Sequence, residues 1–284
     1  MWFELSVLFA FCAMLCWGIG DFLIQKSVRK TGNIACHAFI GVIGTIILFP
    51  FIIKDLNIIF TNGNWIILAF SGVLAFLVGL INFKAFKEGK LAIVDVLLEI
   101  ELPIAVILGV LVFKEKININ QYLLMGAVLI GLILIAFRSG KYKFERGAVL
   151  ALIAGIGLGL VDFVIAHVSK DISPLIAIWS AWFVIALSAL AYIIKEGKIN
   201  KLKKDFINYK ALIISMSIID TFAWLFYAFA LSEGSLSLTT AITEAYPVIA
   251  LFLGVWINKE SIQKHQYLGI IITLIAVITL AINI

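Results

Sequence analysis

The sequence predicts an all-α membrane protein of ten transmembrane helices, arranged as two inverted five-helix repeats. Three observations carry that expectation. Ten apolar runs are each long enough to cross a bilayer, part of the first half recurs in the second, and lysine and arginine crowd into alternate loops. The composition agrees, being 63% hydrophobic and 14% charged with a mean hydropathy of +1.13. Soluble domains are about 45–50% apolar and about 25% charged, so this much apolar surface needs lipid to cover it. Soluble enzymes, disordered chains, collagen and coiled coils are excluded on that ground.

A helix rises about 1.5 Å per residue, so a bilayer core takes about 20 apolar residues. The runs that meet this length are 5–25, 34–53, 64–83, 91–113, 119–137, 147–168, 173–194, 211–231, 236–257 and 266–284. Short polar breaks such as Lys54-Asp55, Lys114-Glu115-Lys116 and Lys170-Asp171 separate them, and only 195–210 is long enough to be a loop with structure of its own. The opening Met1-Trp2-Phe3-Glu4 has no basic region, so the first run is expected to be a span and not a cleaved signal. Cys12, Cys16 and Cys36 lie in or beside apolar runs, too few for a disulfide framework. Cys12 and Cys16 share a helix face, but no third ligand completes a metal set, so packing is expected there.

Shifting the chain by 145 residues superposes Ala85, Glu88, Gly89, Leu91 and Glu99 on Ala230, Glu233, Gly234, Leu236 and Glu244. The match runs on through Lys114-Glu115 and Gln121-Tyr122-Leu123, which meet Lys259-Glu260 and Gln266-Tyr267-Leu268. Such self-similarity marks a duplication, with halves at 1–140 and 141–284. Gly18-Ile19-Gly20-Asp21-Phe22 resembles Gly159-Leu160-Val161-Asp162-Phe163, which pairs the first helix of each half. Five helices per half force the second half into the membrane upside down. Loops after the odd-numbered runs hold 18 lysines and arginines, the others 4. Lys84, Lys87 and Lys90 are replaced at the repeat positions by Phe229, Ser232 and Ser235. The positive-inside rule then puts both termini outside the cytoplasm of a cell membrane. The net charge of +5 belongs to this topology, and without a continuous basic face no nucleic-acid partner is expected.

Trp17-Gly18 in the first helix, Gly89…Pro103…Lys114-Glu115 and Gly234…Pro247…Lys259-Glu260 together resemble the EamA family of the drug/metabolite transporter superfamily. The prolines differ in one respect: Pro103 precedes Glu115 by 12 residues, Pro247 precedes Glu260 by 13, so the first kink is expected one residue out of register. The resemblance implies transport of a small metabolite, an amino acid or related solute, frequently by export. It implies no cofactor and no catalytic residue.

Acids within the spans are the sharpest chemical signal: Asp21, Asp95, Glu99, Glu101, Asp162, Asp220 and Glu244. A charged side chain at bilayer depth costs about 2.5–3.5 kcal/mol even on insertion scales, so each must be partnered, hydrated or protonated. Glu99, Glu244 and Asp220, deepest in their runs, are the strongest candidates for binding a solute or a coupling proton. Asp21, Asp162 and Glu101 join them, while Asp95, close to a helix start, reads as a water-capped end. Trp17, Trp224, Tyr227 and Tyr246 occur on the same helices and offer aromatic walls. Asn82, the repeat mate of Tyr227, is a further polar group needing a partner. Pro103 and Pro247 are expected hinges, each bending its helix by freeing a carbonyl. Trp65, Trp179 and Trp182, nearer run ends, read as an interfacial belt, and His37 and His167 as solvated structural histidines.

The expected protein is therefore a secondary transporter with partners limited to a solute and the bilayer, as monomer or homodimer. The first, third, fourth, sixth, eighth and ninth helices should line its cavity. Negative sites without buried arginine favour solutes with an amino group over anions. Two rivals are weaker. Gly18-Ile19-Gly20-Asp21 matches the GxGD string of intramembrane aspartyl proteases but lacks their companion strings, and no pore-helix string supports an ion channel.

Overall fold

In lipid every backbone N–H and C=O must be satisfied within the chain, which leaves an apolar run little choice but the helix. The computed structural model describes residues 2–89, 91–136, 146–249, 252 and 263–282, and the described elements are helical. They are α1 (Trp2–Thr31), α2 (Asn33–Ile52), a short α3 (Leu56–Phe60), α4 (Asn64–Glu88), α5 (Leu91–Leu98), α6 (Glu101–Leu111) and α7 (Ile119–Ala136). In the second half come α8 (Arg146–Asp171), α9 (Pro174–Lys195), α10 (Ile199–Glu233), α11 (Leu236–Thr243) and, after a helical turn at 246–249, α12 (Lys264–Ile282). Among the described residues seven segments are long and apolar enough to cross a membrane, those of α1, α2, α4, α8, α9, α10 and α12. The rest of the ninth expected run, Lys259-Glu260 and the boundary at 140/141 lie outside the described residues.

Local signals set several ends. Ser173 caps α9, accepting from Ile176 N at 3.5 Å with Pro174 in the first turn, and Ser235 caps α11 through Leu238 N at 3.3 Å. Asn62 and Gly63 take positive φ and turn the chain between α3 and α4. The expected loop at 195–210 is instead mostly helix: α10 starts at Ile199 and continues through a backbone irregularity at Tyr209 (φ −127°, ψ 23°). A local Lys201–Asp205 ion pair and two contacts from α1 hold this extension: Lys201 Nζ donates to Thr31 O (3.2 Å) and Lys30 Nζ lies 4.7 Å from the Tyr209 ring centre.

Helices pair across the two halves. α1 packs on α10 and α8 on α4, which are equivalent pairs if the halves are exchanged, while α2 packs on its own mate α9 and α7 on α12. Mates run antiparallel. Along α2 and α9, Ala38 packs with Ala189, Gly41 abuts Ala186, Gly44 abuts Trp182, and Thr45 O accepts from Trp179 Nε1 at 3.2 Å. Along α7 and α12, Gly131 faces Thr273 and Ile135 O accepts from Gln266 Nε2 at 2.7 Å. Small residues admit this close approach, the usual device where lipid removes a hydrophobic drive between helices. The outward faces keep bare side chains such as Leu8, Ile46, Leu123, Ile153 and Ile275, as a lipid-facing surface requires.

Candidate functional site

The fourth and ninth expected spans are not bent helices but broken ones. The α5–α6 segment is interrupted at Glu99–Ile100, and the segment opened by α11 at Glu244–Ala245. Proline explains why. Pro103 has no N–H for the carbonyl four residues back, and Glu99 O instead takes Leu102 N at 3.2 Å. After α11, Pro247 does the same to Thr243, and Ala245 N turns back to Ile242 O at 3.3 Å. The two breaks fall on repeat mates, so the expected one-residue slip between halves is absent from the backbone. The prolines differ in register, but the acids sit in register, each at a break.

The breaks bring carboxyls together. Glu99 lies against Glu244, and Glu101 against Asp162 with the Tyr227 hydroxyl beside them. Asp21 neighbours Asp220, Asp95 and Glu244. All seven acids are buried, and Asp162 is entirely so. Carboxyl oxygens cannot donate to one another unless a proton is shared, and both oxygens of Glu99 and of Asp162, with Glu244 Oε2 and Asp95 Oδ1, are buried where such sharing would satisfy them. Among the described residues no lysine or arginine is placed against this group, nor does any cluster of three or more His, Cys, Asp and Glu form a metal site.

The group borders a cavity of about 100 Å³, part of it open to the outside. A water needs about 10–15 Å³ on this measure, so several waters or a small solute fit. Asp21, Glu101, Asp220, Glu244, Trp17, Trp224, Tyr246 and Asn82 line the void. Glu99, Asp162 and Tyr227 stand behind that lining, Tyr227 Oη 2.7 Å from Thr240 Oγ1. Pro103 and Pro247 do not line it; they shape the breaks.

Four residues lie elsewhere than the sequence suggests: Trp182, Trp179, His37 and Asp95. Trp182, expected at the interface, is buried in the wall, 6.4 Å from Trp224 in an edge-on pair; Trp179 is buried too, whereas Trp65 is exposed. His37 also lines the void, its Nδ1 3.0 Å from Asn33 O and its ring 4.1 Å from that of Phe83. Both follow from the tight α2–α9 contact at Gly41 and Gly44, which adds the second and seventh spans to the expected lining. Asp95, expected to be solvated, is buried because α5 packs against α8. His167 is exposed and 2.7 Å from Asp171, as a solvated structural histidine would be.

Glu115 has a role its sequence neighbours do not advertise. Lys114 adopts positive φ beyond the end of α6 and turns the chain. The Glu115 carboxylate thereby reaches the start of α11, accepting from Leu236 N, Ser237 N and Ser237 Oγ. An anion at a helix N-terminus satisfies orphan amides and complements the helix dipole.

A lipid-faced helical bundle around an acid-lined hollow is the build of a multi-pass membrane transporter. The chain belongs to the EamA-like transporter family, whose family model matches it twice, over residues 4–137 and 145–282. Its fold is similar to that of a solved chain described only as a crystal structure of a protein, 16% identical, with a TM-score of 0.74 over 97% of this chain and 94% of that one. No curated protein matches it by sequence.

Proposed function

We propose that the protein is a secondary transporter that exports a small metabolite from the cell by alternating access, with proton coupling through its buried carboxyls. The observation that carries this reading is the void itself: its acids come from both halves, Asp21 and Glu101 from the first, Asp220 and Glu244 from the second. A polar site between repeats, built at interrupted helices, is how many secondary transporters hold their cargo. In this reading the α5–α6 and α11 segments and α7 complete ten crossings, in units 1–140 and 141–284. The antiparallel run of mates α2 and α9 supports opposite insertion of the two units. The loop charge bias supports termini outside the cytoplasm.

Alternating access needs parts that move against each other, and the two helix breaks supply them at matching depth. Paired carboxyls such as Glu99 and Glu244 repel when both are ionised, so a proton or a cationic group between them is stabilising, and exchange of one for the other couples two fluxes. The test is counterflow in proteoliposomes with a panel of labelled amino acids and amines, with and without a pH gradient. Exchange driven by the gradient is expected. Glu99→Gln and Glu244→Gln should each slow it by about tenfold or more, on the scale of an intramembrane acid's interaction energy. Normal exchange in both variants, with unchanged response to the gradient, removes these acids from the mechanism.

A further inference from the structure

The void is lined by neutral donors and acceptors, but among the described residues its carboxyls have no lysine or arginine beside them. Its acceptors are the carboxyls of Asp21, Glu101, Asp220 and Glu244 and the amide oxygen of Asn82. Glu244 Oε2 and Asn82 Oδ1 are buried with no donor, Glu244 as a whole being only 3% exposed. Among the described residues no lysine or arginine lines the void. An ammonium group offers three donors and a positive charge, the complement of these carboxyls. A solute carboxylate would add one more acceptor-only anion to a space that already holds four acids and no cation to receive it.

The rest of the wall is aromatic: Trp17, Phe83, Trp182, Trp224 and Tyr246. Trp17 meets Trp224 edge-on at 5.3 Å, Trp182 meets it edge-on at 6.4 Å, and Tyr227 packs edge-on against Trp17 and Trp224 at 5.1 and 6.0 Å, so the rings hold one another as a single aromatic wall. Aromatic faces attract cations and bury flat apolar bodies. The unpaired Trp182 indole N–H, beside Gly44 and Thr221, is a neutral donor that a water oxygen satisfies.

From the unpaired acceptors, the missing cation and the aromatic wall, we infer that this cavity selects a monoamine: one ammonium group on an aromatic or bulky apolar body, without a carboxylate. The inference rests on the transport reading above and narrows its substrate to a class that excludes free amino acids.

Four matched probes separate the terms: phenethylamine, phenylalanine, phenylpropionate and phenethyl alcohol, competing with labelled phenethylamine on the purified full-length protein in nanodiscs at one pH. Phenethylamine should bind about tenfold or more tightly than phenylalanine and phenethyl alcohol, and phenylpropionate should not compete, because like charges at a binding site are strongly disfavoured. Asp220→Asn and Glu244→Gln should each weaken phenethylamine about tenfold, with melting temperature and gel-filtration profile showing that the variants fold. Phenylalanine or the alcohol binding as tightly as the amine overturns the inference. If phenylalanine also exchanges across proteoliposomes, the transport reading survives that result. Binding of none of the four also overturns the inference, whereas the transport reading falls only if the wider solute panel shows no exchange.

Discussion

Glu115 and Ser237, one from each half of the chain, are joined twice: the amide and the hydroxyl of Ser237 both donate to Glu115 Oε2, at 3.1 and 2.5 Å. With Leu236 N on Oε1, the carboxylate satisfies three donors at the start of the helix that leads to Glu244. The end of α6 is thus tied to the broken segment of the opposite repeat.

Removing that tie should cost stability. Hydrogen bonds to a charged group contribute about 1.5–3 kcal/mol, so Glu115→Ala is expected to destabilise by about 2 kcal/mol or more. Glu115→Gln, which keeps an accepting oxygen, should lose less. Thermal melting in detergent checks the order; an unchanged Glu115→Ala melting curve contradicts it.

Gly109 makes the tie fit. A Cβ there would run into the Glu115 carboxylate and the Ser237 hydroxyl. Gly109→Ala should therefore destabilise, and in a double-mutant cycle its effect should shrink in the Glu115→Ala background, which removes one of the two groups the Cβ meets. Additive losses would show that Gly109 matters for some other contact.

The α2–α9 seam is tight against backbone. A Cβ on Gly41 would meet Ala186 N and Cα and Trp182 O, atoms that cannot swing aside. Gly41→Val is expected to cost about 1–3 kcal/mol by overpacking. Gly126→Ala on α7, where nothing lies within 4 Å, should be neutral or stabilising by up to about 1 kcal/mol from helix propensity. Parallel melting curves measure both.

Orientation is testable without a solute. In a background lacking Cys12, Cys16 and Cys36, Lys198→Cys should react with an impermeant maleimide only from the cytoplasmic side, and Asn62→Cys only from outside. The reverse pattern would show that the lysine-rich loops face outward.

The sequence made the helices, the duplication and the buried acids legible because each is local or periodic: run length sets a span, and a carboxyl deep in a run has nowhere to go but inward. The breaks were less legible. Proline announces a lost hydrogen bond, but whether the helix bends or stops depends on where the orphan carbonyl finds a partner, here Leu102 N for Glu99 O. Trp182 and His37 were misplaced for a related reason. Their distance from run ends says interface, whereas the glycine contacts of α2 with α9 draw them to the centre, and such pairing across some 140 residues leaves no local trace. Asp95 looked solvated because a helix start in sequence is not a helix start at the membrane surface. Glu115 was read as half of a motif; its work depends on a turn and on a helix from the other repeat.

Alternating access makes one demand above the others: the same wall must meet water from each side in turn. Ala181 lines the void and is small, so Ala181→Cys in the cysteine-free background probes it directly. Labelling of proteoliposomes by impermeant maleimide should proceed from either side, with the favoured side reversing as the proton gradient is reversed. Labelling from one side only, whatever the gradient, would contradict a cavity that opens to both.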